Sequence, residues 1–363
     1  AGAQKETRQG RLREGLGRVT ANPAGLLAVP FVVAVATALL SYDSSRRRTL
    51  RINALAAREM WPEVLREARG LPLDRETSAV VPIINRALYE TGRLPYDMFA
   101  YPQHPTLFMV GLAIRGRTAP ELYRARMAAY FQTGDMDLQL GLVNAAEHQA
   151  HEALENLGEY PEVLKQLALV DIVKGQSEAA RVFLNALSKR MHYRRWARDA
   201  LRRLEADPTW SRDPEVRRIR ELMIRDRSVI LSMSVERRLQ ELLRTNRRNR
   251  MAFEYEMAAY LVARDLDDFV AELHRLDDFD YPGIPRLYEE AIVVYENTYG
   301  KKVDLNGREV SAQTRRAYDD FLRAFMPYYV RGDRQAARDA LKARFGNTFF
   351  FYFSFGESGV GSR

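Results

Sequence analysis

The sequence predicts an all-α fold: antiparallel helix hairpins stacked into a solenoid, preceded by one transmembrane helix. Three observations carry it. Beyond residue 51 nearly every segment shows helical spacing of its apolar residues, and strand-like alternation is scarce. Several helices close on the same phrase, a small or apolar residue, then Tyr, then Gly or Arg, then a polar start. Finally, residues 19–42 contain no charged side chain.

At 363 residues the chain exceeds one ordinary domain, so it reads as two domains or one extended array. Apolar residues are 46% and charged residues 29%, values of folded protein. With no Cys, there is no disulfide framework, thiolate metal site or Cys nucleophile. The net charge of +8 suggests nucleic acid until it is divided along the chain. Residues 1–51 carry nine basic and three acidic side chains, leaving 47 against 45 over the rest. A nucleic-acid binder concentrates positive charge on its folded domain, so none is expected as a partner. Pairs such as Arg194-Arg195 and Arg202-Arg203 read as solvated helix faces.

The organisation follows from these patterns: a basic juxtamembrane segment at 1–22, a transmembrane helix at 23–42, a helical-repeat domain at 43–346 and an aromatic segment with a flexible tail at 347–363. The predicted helix 23–42, which contains the apolar run AGLLAVPFVVAVATALL at 24–40, is long enough to cross about 30 Å of hydrocarbon, and Arg clusters flank it. The expected location is a bacterial inner membrane, with one span, the bilayer as a partner and the repeat domain in the periplasm. The chain does not begin with Met, which suggests a processed form or a piece of something longer.

Helices are then predicted in order. Residues 53–69 and 78–91 form a first hairpin, 119–133 and 137–157 a second, and 161–174 and 177–189 a third. Segments 193–205, 214–225, 235–245, 250–262, 266–276, 284–299, 311–330 and 334–345 continue the array. The shared phrase places Gly92, Gly134, Gly175 and Gly332 as left-handed C-caps, with Arg264 at the same position of its phrase and Tyr packed between helices. Clustered Asp at 265–268 and 277–280 reads as helix capping, because a carboxylate near a helix start satisfies orphan amides.

These phrases resemble tetratricopeptide-type repeats. The best match runs from Asn246 through Tyr255 and Tyr260 to Leu273, and Gly175 through Phe183 to Leu187 resembles a second helix of such a unit. The glycines at 92, 134 and 175 lie 42 and 41 residues apart, longer than a 34-residue repeat. More loosely, 94–99, 249–255, 285–291 and 347–353 resemble an uncharacterised bacterial family of multi-span membrane proteins with a helical-repeat tail. That likeness would make the chain an extracytoplasmic C-terminal domain of a membrane enzyme or transporter acting on envelope or lipid-linked substrates. The repeat likeness implies instead a membrane-anchored scaffold, not itself an enzyme, that binds a protein or peptide near the bilayer or sits in a larger membrane complex.

Candidate site residues are few. Glu147, His148, His151 and Glu152 alternate carboxylate and imidazole along one side of a helix, the one metal-like cluster, although neither zincin order is present. An ordinary hydrogen-bonded cluster between helices is the alternative. No cofactor motif is found; the Gly-rich end at 356–361 opens no helix and reads as a flexible tail. For a partner, the aromatic, Pro-punctuated stretch 95–105 reads as a long inter-hairpin loop, offering Tyr96 and Tyr101 as a binding surface or a plain connector. The block FFFYFSF offers Phe349, Phe350 and Phe351 as a strand-like clamp over the last hairpin, a membrane-interface anchor or a docking peptide.

Overall fold

Where each helix starts and stops is set by a small number of residues. The computed structural model describes residues 44–73, 77–104, 133–224 and 235–356. Its contacts divide the chain into two units, 1–47 and 48–363. Of the first, only residues 44–47 are described, and they are helical.

Among the described residues there are helices and no strands. Helix α1 is Ser44–Ala56 and α2 is Trp61–Ala68. The single helix expected over 53–69 is therefore split. Pro62 lacks an N–H and is accommodated only in a first turn, and Glu59 takes a left-handed φ of 56° in the break. A 3₁₀ turn at Thr77–Val80 leads into α3, Val81–Glu90. Helix α4, Leu94–Asp97, runs into a 3₁₀ turn at Met98–Ala100, so the expected long loop over 95–105 is helical in its first half.

The expected helix 119–133 lies outside the described residues except for its last position. Residues 133–140 are helical and stop at Gly141; α5, Val143–Leu157, follows. The helix expected over 137–157 breaks there because Gly141 has φ 89° and a Cβ at this position would lie 2.5 Å from the Leu222 carbonyl oxygen. Gly134 is not the C-cap the repeated phrase implied. It sits inside the helical stretch 133–140, where an added Cβ would press on the Gln166 amide.

The middle of the chain holds α6 (Pro161–Lys174), α7 (Ser177–Ser188), α8 (Arg194–Ala206) and α9 (Pro214–Leu222). Then come α10 (Val235–Thr245), α11 (Arg250–Ala263), α12 (Leu266–Glu272) with a 3₁₀ turn at Leu273–Asp278, and α13 (Arg286–Tyr299). The last are α14 (Ala312–Arg331), α15 (Arg334–Phe345) and α16 (Phe349–Phe355). Asp213, Asn249, Asp265, Ser311, Asp333 and Thr348 accept from first-turn amides of α9, α11, α12, α14, α15 and α16. Gly175, Arg264 and Gly332 close α6, α11 and α14 in the left-handed conformation.

From α5 to α8 each helix packs on the next, which is the order a hairpin array requires. Their apolar faces fill three small cores built around Leu167, Leu184, Leu204 and Trp210. The ends of the chain pack differently. Helix α4 lies against α11 and α13, and α16 against α13 and α15. One large core thus joins 52–101 to 239–352 across the sequence. Helix α11 is its centre: every residue from Met251 to Val262 is buried.

FFFYFSF is a helix and not a strand-like clamp. Thr348 caps its start, Gly356 its end, and Phe349, Phe350, Phe351 and Tyr352 are each at most 1% exposed. Tyr352 stacks on Phe99 with ring centroids 4.5 Å apart, and Phe350 meets Tyr318 and Phe321 of α14. The segment covers an end of the core from within the chain.

The assignment to an inner membrane through one span is corrected. Among the described residues no helix is long and apolar enough to cross a membrane, and the apolar stretch 23–42 on which that expectation rested lies outside them.

Candidate functional site

Three elements of the unit 48–363 form an open cleft of about 750 Å³. Ala54 of α1, with Ala57 and Arg58 just after it, makes one wall. Tyr160 and the first turn of α6, with Glu162 and Lys165, make the second. The α7–α8 turn, Lys189 to Tyr193, and Trp196 of α8 complete it.

Local sequence explains the walls. Pro161 starts α6 at a position where its missing N–H costs nothing, which leaves Tyr160 at the N-cap, 54% exposed. The α7–α8 turn closes through Arg190 N–H to the Leu187 carbonyl, 2.9 Å, and Tyr193 N–H to the Arg190 carbonyl, 3.1 Å. That turn leaves Met191 77% exposed. Two bonds tie it to the α5–α6 turn: Arg190 Nη2 donates to Glu159 Oε2 at 3.0 Å, and the Tyr193 hydroxyl donates to Glu162 Oε1 at 2.8 Å. Burial, then the bond to Glu162, raises the Tyr193 pKa, so its hydroxyl keeps its proton. Lys165 Nζ lies 5.2 Å from the centre of the Trp196 ring, a cation–π contact across the cleft floor. Small Ala54 and Ala57 opposite leave the space open.

The cleft is cationic and partly apolar: Arg58, Lys165, Lys189, Arg190 and His192 against the single carboxylate of Glu162. Of the four Lys and Arg, only Arg190 pairs with a carboxylate among the described residues.

The residues selected from sequence lie elsewhere. On α5, Glu147 pairs with Lys174 of α6 at 2.7 Å, whereas His148 and His151 are exposed. Among the described residues no group of three or more His, Asp or Glu is placed to hold a metal ion. Asp171 faces this cluster; burial, then Glu147, raises its pKa to about 6. Tyr101 is 1% exposed, and Tyr96 is half-buried with its carbonyl accepting from Arg286 at 3.0 Å. Tyr101 and Phe349 to Phe351 are interior, and Tyr96 is only partly exposed.

The interior also holds buried carboxylates that sequence did not reveal. Glu254 Oε1 accepts from Arg250 Nε at 2.9 Å and from the Tyr281 hydroxyl at 2.8 Å. Glu256 accepts from the Tyr260 hydroxyl at 3.2 Å, and burial raises its pKa to about 7. Glu290 accepts from Arg286 Nη1 at 2.8 Å and from the Phe349 N–H at 2.6 Å; burial again raises its pKa to about 7. Asp137 faces Arg238 at 3.3 Å, with its pKa raised to about 6 by burial. All four are at most 4% exposed; Glu290 and Asp137 tie one helix to another, whereas Glu254 and Glu256 bond within α11 to Arg250 and Tyr260.

A comparison with known families matches residues 4–356 to one described as a family of unknown function (DUF6057). The chain belongs to that family. No curated protein and no solved structure matches it. The likeness of 94–99, 249–255, 285–291 and 347–353 to multi-span membrane proteins finds no support in membership of DUF6057. The cleft residues Tyr160, Met191, Tyr193 and Trp196 escaped notice in sequence because the run Lys189 to Trp196 reads as a polar turn and a solvated basic face. The available signal was Met, His and two aromatics interleaved with that run, too apolar for a simple solvated turn.

Proposed function

We propose that this DUF6057 chain is a tetratricopeptide-like helical-repeat scaffold that docks a protein or peptide partner, and that the α1/α6/α7–α8 cleft is where docking occurs. The observation that carries it is the combination of exposed Tyr160 and Met191 with a fixed, cross-tied wall. Bulky apolar side chains held open beside charges are what interfaces use as anchors, and two inter-turn bonds spare the site the ordering cost of a loose loop. The stacked hairpins α5 to α8 supply a rigid support, as repeat arrays do for their binding faces. The buried carboxylates serve packing, so no covalent chemistry is assigned.

The test is photo-crosslinking of the full chain in its own cells. A benzoylphenylalanine replaces Met191 in the cleft, or Val182, 65% exposed and outside the cleft lining, as control. A discrete adduct from position 191 that is absent from 182, and lost when Tyr160 is changed to Asp, supports docking at the cleft. Equal adducts at both positions, or none at 191, overturn it.

A further inference from the structure

We propose that the segment taken by the cleft is an acidic peptide carrying one bulky apolar side chain; the inference rests on the docking reading and specifies its partner. Charge is the first argument. Four Lys and Arg side chains and His192 line the site, and its one carboxylate, Glu162, is already engaged by the Tyr193 hydroxyl. Arg190 is satisfied by Glu159, and Lys165 faces Glu59 and Asp135, which leaves Arg58 and Lys189, both exposed, as cations for an incoming carboxylate.

The apolar part is the second argument. Tyr160 and Met191 stand open beside the cations, and Met is the side chain that best adapts to an anchor of varying shape. At about 750 Å³ the cleft falls within the range of ligand-holding pockets, room for a few side chains rather than a folded surface.

The same features argue for peptide over nucleic acid. Single-strand binding needs aromatic faces free for base stacking. Here the Trp196 ring carries Lys165 and Tyr193 is held by Glu162, so of the three lining aromatics only Tyr160 stands open, too few for successive bases to stack. A nucleic-acid groove also extends its positive charge along the backbone, whereas residues 52–363 balance 47 basic against 45 acidic side chains.

The experiment is fluorescence anisotropy on the full chain with three labelled probes: a twelve-residue Asp/Glu peptide with one central Phe, the same peptide with Phe replaced by Ser, and a single-stranded RNA of equal charge. The Phe peptide should bind saturably and at least tenfold more tightly than the Ser peptide. Arg58→Glu with Lys189→Glu, and separately Met191→Asp, should each weaken it tenfold or more, with far-UV circular dichroism unchanged because all three side chains are exposed. Binding should also fall with added salt. Tighter binding of RNA, lost in the same variants, overturns the peptide assignment in favour of nucleic acid. Failure of both acidic peptides while the position-191 adduct forms in cells overturns the partner class and leaves the docking reading intact. Failure of both, with no adduct, removes the two together.

Discussion

Tyr352 separates two contributions to the closure of the large core. Its ring stacks on Phe99 from the N-terminal part of the chain, and its hydroxyl donates to the Val262 carbonyl at 2.9 Å. Val262 lies in the last turn of α11, where carbonyls have no partner inside the helix, so the hydroxyl satisfies a group that would otherwise be buried and bare. Tyr352→Phe keeps the stack and strands that carbonyl, a cost of about 1–3 kcal/mol. Tyr352→Ala also removes a ring that is 1% exposed, and truncating a buried aromatic costs about 3–5 kcal/mol. The alanine variant should therefore fall at least about 2 kcal/mol below the phenylalanine variant. Urea unfolding followed by circular dichroism, compared at constant m-value, measures both. Equal losses would show that the stack on Phe99 contributes nothing. A loss below about 1 kcal/mol for alanine would show that α16 is not part of the core.

Three other outcomes follow from the same geometry. Burial raises the pKa of Glu256 and Glu290 to about 7 and of Asp137 to about 6, so each favours the folded state fully below its unfolded value near 4 and loses that advantage as pH rises through 6 to 7. Exposed Asp277 runs the other way, its pKa lowered by bonds from Asn306 and Arg308. The melting temperature should peak near pH 5 and decline toward pH 8; a flat or rising profile over that interval would contradict it. Arg286→Ala removes the cation beside Glu290, a cost of about 2 kcal/mol at pH 8, below that of a fully buried pair because Arg286 is one-third exposed. The cost should shrink at pH 5.5, where Glu290 takes a proton, and thermal melts at the two pH values decide it. Gly141→Ala should destabilise by about 1–3 kcal/mol through left-handed strain, with a further loss from contact with the Leu222 carbonyl, read by the same melts.

Much of the secondary structure was legible because its signals are local. Predicted segments 161–174 and 334–345 match α6 and α15 at both ends, and 235–245 matches α10 at its C-terminal end. Asp265 and Asp333 cap helices as acidic starts should. The failures were also local, but they competed with a stronger pattern. Helical spacing ran through Pro62 and through Gly141, and the pattern of apolar residues outweighed the single residue that breaks the backbone. In FFFYFSF the density of β-favouring aromatics concealed a capped helix, although Thr348 and Gly356 bracket it at the right distance. What no local signal could show is the pairing of α4 with α11 and α13, roughly 150 and 190 residues away in sequence.

The same division explains the candidate site. A carboxylate–imidazole cluster is conspicuous in sequence because its members share one helix, yet on α5 the geometry that brings Glu147 to Lys174 leaves both histidines in solvent. The cleft draws its walls from residues 54–58, 160–165 and 189–196, three segments each unremarkable alone. They become a site because the Arg190–Glu159 and Tyr193–Glu162 bonds hold two inter-helix turns side by side, each bridging 31 residues of chain. None of these lining residues was singled out in the sequence as a site, because no one segment carries the contacts that bring it to the others. Substitutions that shorten α6 or α7 by a turn should misalign both ties together, while point changes at Met191 or Lys189 leave them in place.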